Sequence, residues 1–165
     1  MSSIDSAAAQ QLTTALATGP AALIAQLSAW FLELPGARTM TYLATSPDKT
    51  MTHRIGTSDP QNFPIGGFDI LDDGAWTRRV FGEKQPVIAN TLEEMVHFIP
   101  EAEGLVEIGH GATMCAPLII AGEVRGVVCV LGPAGIFTPD FLARFNALLP
   151  LAGLIFAFEG ISIKR

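Results

Sequence analysis

Two patterns of apolar and polar positions divide this chain. Leu23, Leu27, Trp30, Phe31 and Leu34 recur at spacings of three and four, which marks one face of a helix. Pro20 suits the first turn of that helix, and Pro35-Gly36 stops it. Before it, residues 7–17 read as a first helix ended by Thr18-Gly19-Pro20, behind a polar, frayed start at 1–6. From 112 to 131 the pattern changes. The runs ATMCAPLII and VRGVVCVL are apolar and β-branched, and they flank a tight Ala121-Gly122 turn, so they predict a hairpin. Few of their positions are polar, so the hairpin belongs in the middle of a sheet with cover on both faces.

Shorter elements fill the interval. Residues 38–44 and 51–57 predict a second hairpin. In the loop 59–67, Gly66-Gly67 permits a positive-φ turn or a close backbone approach. Residues 68–71 lead into a short helix, 72–81, capped by Asp72 or Asp73, with Trp76, Val80 and Phe81 inward and Arg78 and Arg79 outward. A strand at 86–89 precedes a helix opened by a Thr91/Glu94 capping box and closed by Pro100. Residues 101–108 fit either a helical turn or an acidic loop. Thr138 as N-cap and Pro139 at the first helical position open a last helix that runs to about residue 159. Its second half is apolar nearly all round. One sheet cannot cover every side of such a helix, so a helix-to-helix contact between two copies is expected; the alternative is a helix held between the sheet and the N-terminal helices. The element order gives an α+β chain with a mixed or antiparallel sheet of five or more strands.

Composition narrows the picture. At 165 residues the chain suits one domain, and 49% of it is apolar against only 16% charged. The formal charge of -6 argues against nucleic acid or an anionic membrane as partner. No secretory signal opens the chain, and the longest apolar run, 147–158, falls short of the roughly 20 residues of a spanning helix. A cytoplasmic protein is expected. Counted outward from the turn, Cys115 stands opposite Val128 and Cys129 opposite Met114. The two thiols then point to opposite faces and form no disulfide, unless a bulge interrupts a strand. The three histidines, His53, His97 and His110, show no metal-ligand spacing, so no metal site is expected. His110 stands between glycines, where a neutral imidazole could hold a ligand or act as acid-base.

Pro86-Val87-Ile88-Ala89, Met114-Cys115-Ala116-Pro117-Leu118, Gly122-Glu123-Val124-Arg125-Gly126-Val127-Val128 and Phe137-Thr138 together resemble the GAF domain family. The likeness covers roughly residues 20–159, and within it 38–70 match only in element order. It implies a profilin-like, PAS-related antiparallel sheet of five to six strands. N- and C-terminal helices would pack on one face and dimerise, with short helices and loops enclosing a small-molecule pocket on the other. The chain then divides into a helical extension (1–19), the GAF-like domain (20–160) and a tail (161–165). The implied pocket draws on Phe68, Trp76 and Val80, on Met95 and His97, and on the segment from His110 to Met114, with Cys129 or its neighbours at its floor. Neither cysteine is placed for covalent bilin attachment. No Asn-Lys-Phe-Asp-Glu signature follows Phe137; where the free methionine-(R)-sulfoxide reductases use three pocket cysteines, this chain has two, expected on opposite faces, and lacks those of the loop before the hairpin. The expected function is a stand-alone, dimeric sensory or regulatory domain that binds a small molecule and acts on a separate output protein, with no cofactor specified. Two alternatives stand beside it. One is a small enzyme using His110 as acid-base with Cys115 or Cys129; the other is a dimerisation protein whose own side chains fill the pocket.

Overall fold

One antiparallel sheet of six strands carries the domain, in the order β3-β2-β1-β6-β5-β4. The structure, a computed structural model, describes residues 5–159; the expected tail at 161–165 and the first four residues of the expected frayed start lie outside them. The central hairpin is β5 (Ala112–Ile120) and β6 (Glu123–Gly132). The second hairpin, β1 (Thr39–Thr45) and β2 (Met51–Thr57), joins it through β1 alongside β6. The short strands β3 (Phe68–Ile70) and β4 (Val87–Ala89) form the two edges.

Helices α1 (Ser6–Thr18), α2 (Pro20–Leu32) and α6 (Pro139–Leu148) belong to one layer. The last helix continues through a 3₁₀ turn at Leu149–Ala152 into α7 (Gly153–Glu159). Pro150 has no N–H to give an α-helical ladder, so the expected single helix changes pitch there. Leu23, Leu27 and Phe31 from α2 and Phe145 and Phe156 from the C-terminal helices bury themselves against Met40, Tyr42 and Val130 of the sheet. The rings of Phe31 and Phe145 meet at 5.0 Å. By length and composition 139–158 could cross a bilayer; Phe141, Phe145, Ile155 and Phe156 of this stretch are buried in the core.

The other face carries shorter pieces. Helix α3 (Ala75–Thr77) runs into a π turn at Arg78–Gly82. It begins later than its acidic cap was expected to place it. Asp72 instead accepts from the Gly74 N–H at 2.9 Å and from the Thr77 hydroxyl at 3.1 Å, closing a turn ahead of the helix. The residues before it, expected to lead directly into that helix, form β3. Gly66 N–H donates to the Arg54 carbonyl and Arg54 N–H to the Gly67 carbonyl, which lays the chain along β2. Helix α4 (Leu92–Phe98) starts at Thr91 as the capping box predicts, and Glu94 reaches back to the Asn90 N–H. The ambiguous stretch after Pro100 is helical, α5 (Ala102–Glu107).

Two β-bulges set which side chains face which layer. In β5–β6, Ile119 opposes Val124 but Leu118 opposes Gly126, so Arg125 is the extra residue. Every pair beyond it moves by one, and Cys115 stands directly opposite Cys129. This corrects the count made from the turn: the two thiols share a face. In β1–β2 the extra residue is Ile55, which leaves Arg54 opposite Leu43 and Gly56 opposite Tyr42.

Candidate functional site

Three cross-strand rows on the face away from α2 supply the floor of a cavity through Thr41, Cys129, Cys115, Leu131, Thr113, Arg54 and Leu43. Thr41, Cys129, Cys115 and Val87 form one row across four strands. Thr39, Leu131, Thr113 and Ala89 form the next, and Arg54, Leu43 and Val127 a third. Directly opposed residues share a face of a sheet, so these side chains emerge together. Trp76, Phe98, Ile99, Leu105 and Phe63 supply the walls around a cavity of about 390 Å³. That volume lies in the range of small-molecule sites, and the lining combines apolar walls with charged and polar side chains.

Arg54 is the cation of this cavity. Its guanidinium lies 5.6 Å from the centre of the Phe63 ring, and Nη1 donates to the Pro64 carbonyl at 3.1 Å. Its Nε is buried and has no hydrogen-bond acceptor. A buried N–H on a charged group without an acceptor is costly, and an acceptor on a bound molecule would relieve that cost. Gly67 makes the approach fit, because a Cβ there would lie 2.9 Å from Nη1. The carboxylates of Asp69, Asp72 and Glu101 stand around the same cavity.

Cys115 and Cys129 are free thiols, 5% and 6% exposed. The neighbouring Cys129 thiol holds the Cys115 thiol below its ordinary value, with Trp76 and Thr113 acting in the same direction. The same neighbour contact, from Cys115, together with burial, pushes Cys129 up. His110 is buried next to Thr39, its Nε2 at 3.4 Å from Thr39 Oγ1, and its Nδ1 has no partner. Burial holds the imidazole below its ordinary value, and the Arg38 charge adds to this, while Asp59 opposes it.

Of the pocket residues expected from sequence, Trp76 and His97 line the cavity together with Cys115 and Cys129. Most of the rest are placed elsewhere. Val80 and Met95 are fully buried in two small apolar clusters behind the lining, the first with Val87 and Cys115, the second with Ala89 and Ala102. Met114 points to the opposite face, into the main core, because its neighbour Cys115 occupies the cavity side. Phe68 lies on the edge strand and is 63% exposed. His110 packs against Phe63, with ring centres 6.1 Å apart, and is not on the cavity surface. Arg79 is tied to Glu83 at 2.7 Å and to the Pro86 carbonyl. Thr113, within the expected segment from His110 to Met114, also lines the cavity, whereas Arg54, Phe63 and Thr41 were not legible as site residues. The one signal was Gly66-Gly67, whose expected positive φ occurs at Gly66 (88°) and whose close approach is that of Gly67 to Arg54.

A family model described as GAF domain matches residues 17–157. The chain belongs to the GAF domain family. Solved GAF domains share its architecture at low identity. The GAF domain of a two-component sensor histidine kinase from Bacillus halodurans is 15% identical, with a TM-score of 0.68 over 83% of this chain and 93% of that one. The GAF-B domain of DevS from Mycobacterium smegmatis is 17% identical, with a TM-score of 0.59 over 86% and 95%. A methyl-accepting chemotaxis protein, residues 122 to 287, is 14% identical, with a TM-score of 0.65 over 94% and 100%. No curated protein matches the chain. The curled antiparallel sheet with helices is thus the GAF fold, and domains of this family commonly sense small molecules.

Proposed function

We propose that this GAF domain is a sensor that holds a small, partly apolar molecule in the cavity between Arg54, Trp76 and His97. The observation that carries the reading is the buried Arg54 Nε without an acceptor, on the wall of a cavity of about 390 Å³. The ligand presents a carboxylate or carbonyl oxygen to Arg54 and an apolar body to Trp76, Phe63 and Leu43. Space of this size favours a ligand-binding role over a domain filled by its own side chains. Binding is also favoured over acid-base turnover, since His110 packs outside the cavity surface. The sensor works as a cytoplasmic homodimer joined through its N- and C-terminal helices and acts on a separate output protein. Support for the dimer comes from Trp30, Leu151, Leu154 and Phe158, which remain half-buried on the helical layer.

Native mass spectrometry of protein purified from the producing cells tests the ligand. The expected result is a reproducible extra mass that disappears on denaturation and is lost in Arg54→Gln. A wild-type protein that is bare in every preparation, and remains bare after incubation with a library of small carboxylates, overturns the reading.

A further inference from the structure

The cavity wall holds a second piece of chemistry in Cys115 and Cys129, which oppose each other across β5 and β6. The backbone determines what kind of pair they are. Arg38 N–H donates to the Leu131 carbonyl at 2.9 Å, so Leu131 turns its backbone oxygen toward β1. Gly111 N–H donates to the Gly132 carbonyl at 2.8 Å, so Gly132 turns toward β5. Alternation along the unbroken strand then directs the polar backbone groups of Cys129, like those of Leu131, toward β1. Cys115 and Cys129 are therefore a non-hydrogen-bonded pair, whose Cα atoms come within about 4.5 Å and whose side chains lie closest. That separation lies inside the roughly 4.4–6.8 Å that a disulfide spans.

We propose that Cys115 and Cys129 are a reversible thiol–disulfide pair on the wall of the cavity, oxidised by a small hydroperoxide that enters it. Both thiols line the cavity, so an oxidant of that size reaches them without opening the core. Cys115 is the attacking sulfur, because its contacts with Cys129, Trp76 and Thr113 hold its thiol below the ordinary value. Its sulfur bonds to the terminal peroxide oxygen, the O–O bond breaks, and the departing oxygen takes up the Cys115 proton. Cys115 is then a sulfenic acid. The Cys129 sulfur attacks the Cys115 sulfur, the S–O bond breaks, and hydroxide leaves as water with the Cys129 proton. The two sulfurs together lose two electrons and the peroxide gains two; hydrogen peroxide yields two waters.

The test treats the folded wild-type protein with a small molar excess of hydrogen peroxide, then denatures it, alkylates it and weighs it. The expected product is a single chain lighter by about 2 Da that takes up no alkylating agent, and dithiothreitol restores both thiols. Trypsin cuts after Lys84, Arg125 and Arg144, so the product contains peptide 85–125 linked to peptide 126–144. In Cys129→Ser the oxidation stops at a Cys115 sulfenic acid that dimedone captures. The wild-type protein carries the main readout, so a poorly folding variant does not obscure it. Two thiols that remain open to alkylation, sulfinic acid as the only product, or disulfides only between chains each overturn the proposal.

Discussion

Gly126 shows how much one missing Cβ decides. It follows the bulge at Arg125, and the Phe156 ring lies where its side chain would be. Gly126→Ala must push Phe156 out of the core, and a loss of about 1–3 kcal/mol is expected, read as a lower urea midpoint with unchanged slope. His110 makes a prediction about pH. Burial first, and the Arg38 charge second, hold its imidazole below the ordinary value of about 6.5, while Asp59 pulls the other way. Above that value the folded and unfolded chains both carry it neutral and it contributes nothing. As the pH falls from about 6.5 toward the depressed folded value, the unfolded chain takes a proton that the folded one refuses, so stability is lost. The urea midpoint should therefore fall between about pH 7.5 and pH 5.5, and His110→Asn should reduce that fall. An unchanged pH profile in the variant would remove His110 from the account.

At the scale of elements, side chains join segments far apart in sequence. Asn90, between β4 and α4, accepts from the Phe137 N–H at 2.9 Å and donates to the Phe137 carbonyl at 3.2 Å. Its amide thus replaces one ladder step and holds the entrance of α6 beside the end of β4. Asn90→Ala leaves both partly buried backbone groups of Phe137 unpaired, at an expected cost of about 1–3 kcal/mol. Thr138→Ala removes the cap that accepts from the Phe141 N–H and should cost about 1 kcal/mol. Chemical denaturation of the two variants should rank them in that order, and the reverse order would show that the Asn90 bridge is solvated in solution.

For the whole molecule the prediction concerns assembly. Leu154 and Trp30 lie half-buried on the outer side of the helical layer. Sedimentation velocity should give a dimer for the wild-type protein and a monomer for Leu154→Glu, with the same circular dichroism in both. A wild-type monomer at all concentrations would leave the helix-to-helix contact without support. A dimer joined through this layer leaves the cavity, on the opposite face of the sheet, open to ligand and oxidant alike.

The sequence by itself determined what local physics controls. The period of Leu23, Leu27 and Phe31, the cap at Thr138 followed by Pro139, the Thr91 box and the Ala121-Gly122 turn each act within one or two turns of chain. The elements they predict are present within a residue or two. Ala121 and Gly122 take the positive φ that such a turn requires. The site was different. Whether Cys129 faces Cys115 depends on one extra residue in β6, and that bulge is fitted to Phe156, 30 positions further along the chain. Whether Arg54 reaches the cavity depends on the pairing of β2 with β1 and on Gly67 passing beside it. A one-residue shift exchanges the faces of every side chain beyond it. Alternation could therefore name the strands, while only the tertiary packing on both faces of the sheet decided which residues the cavity received.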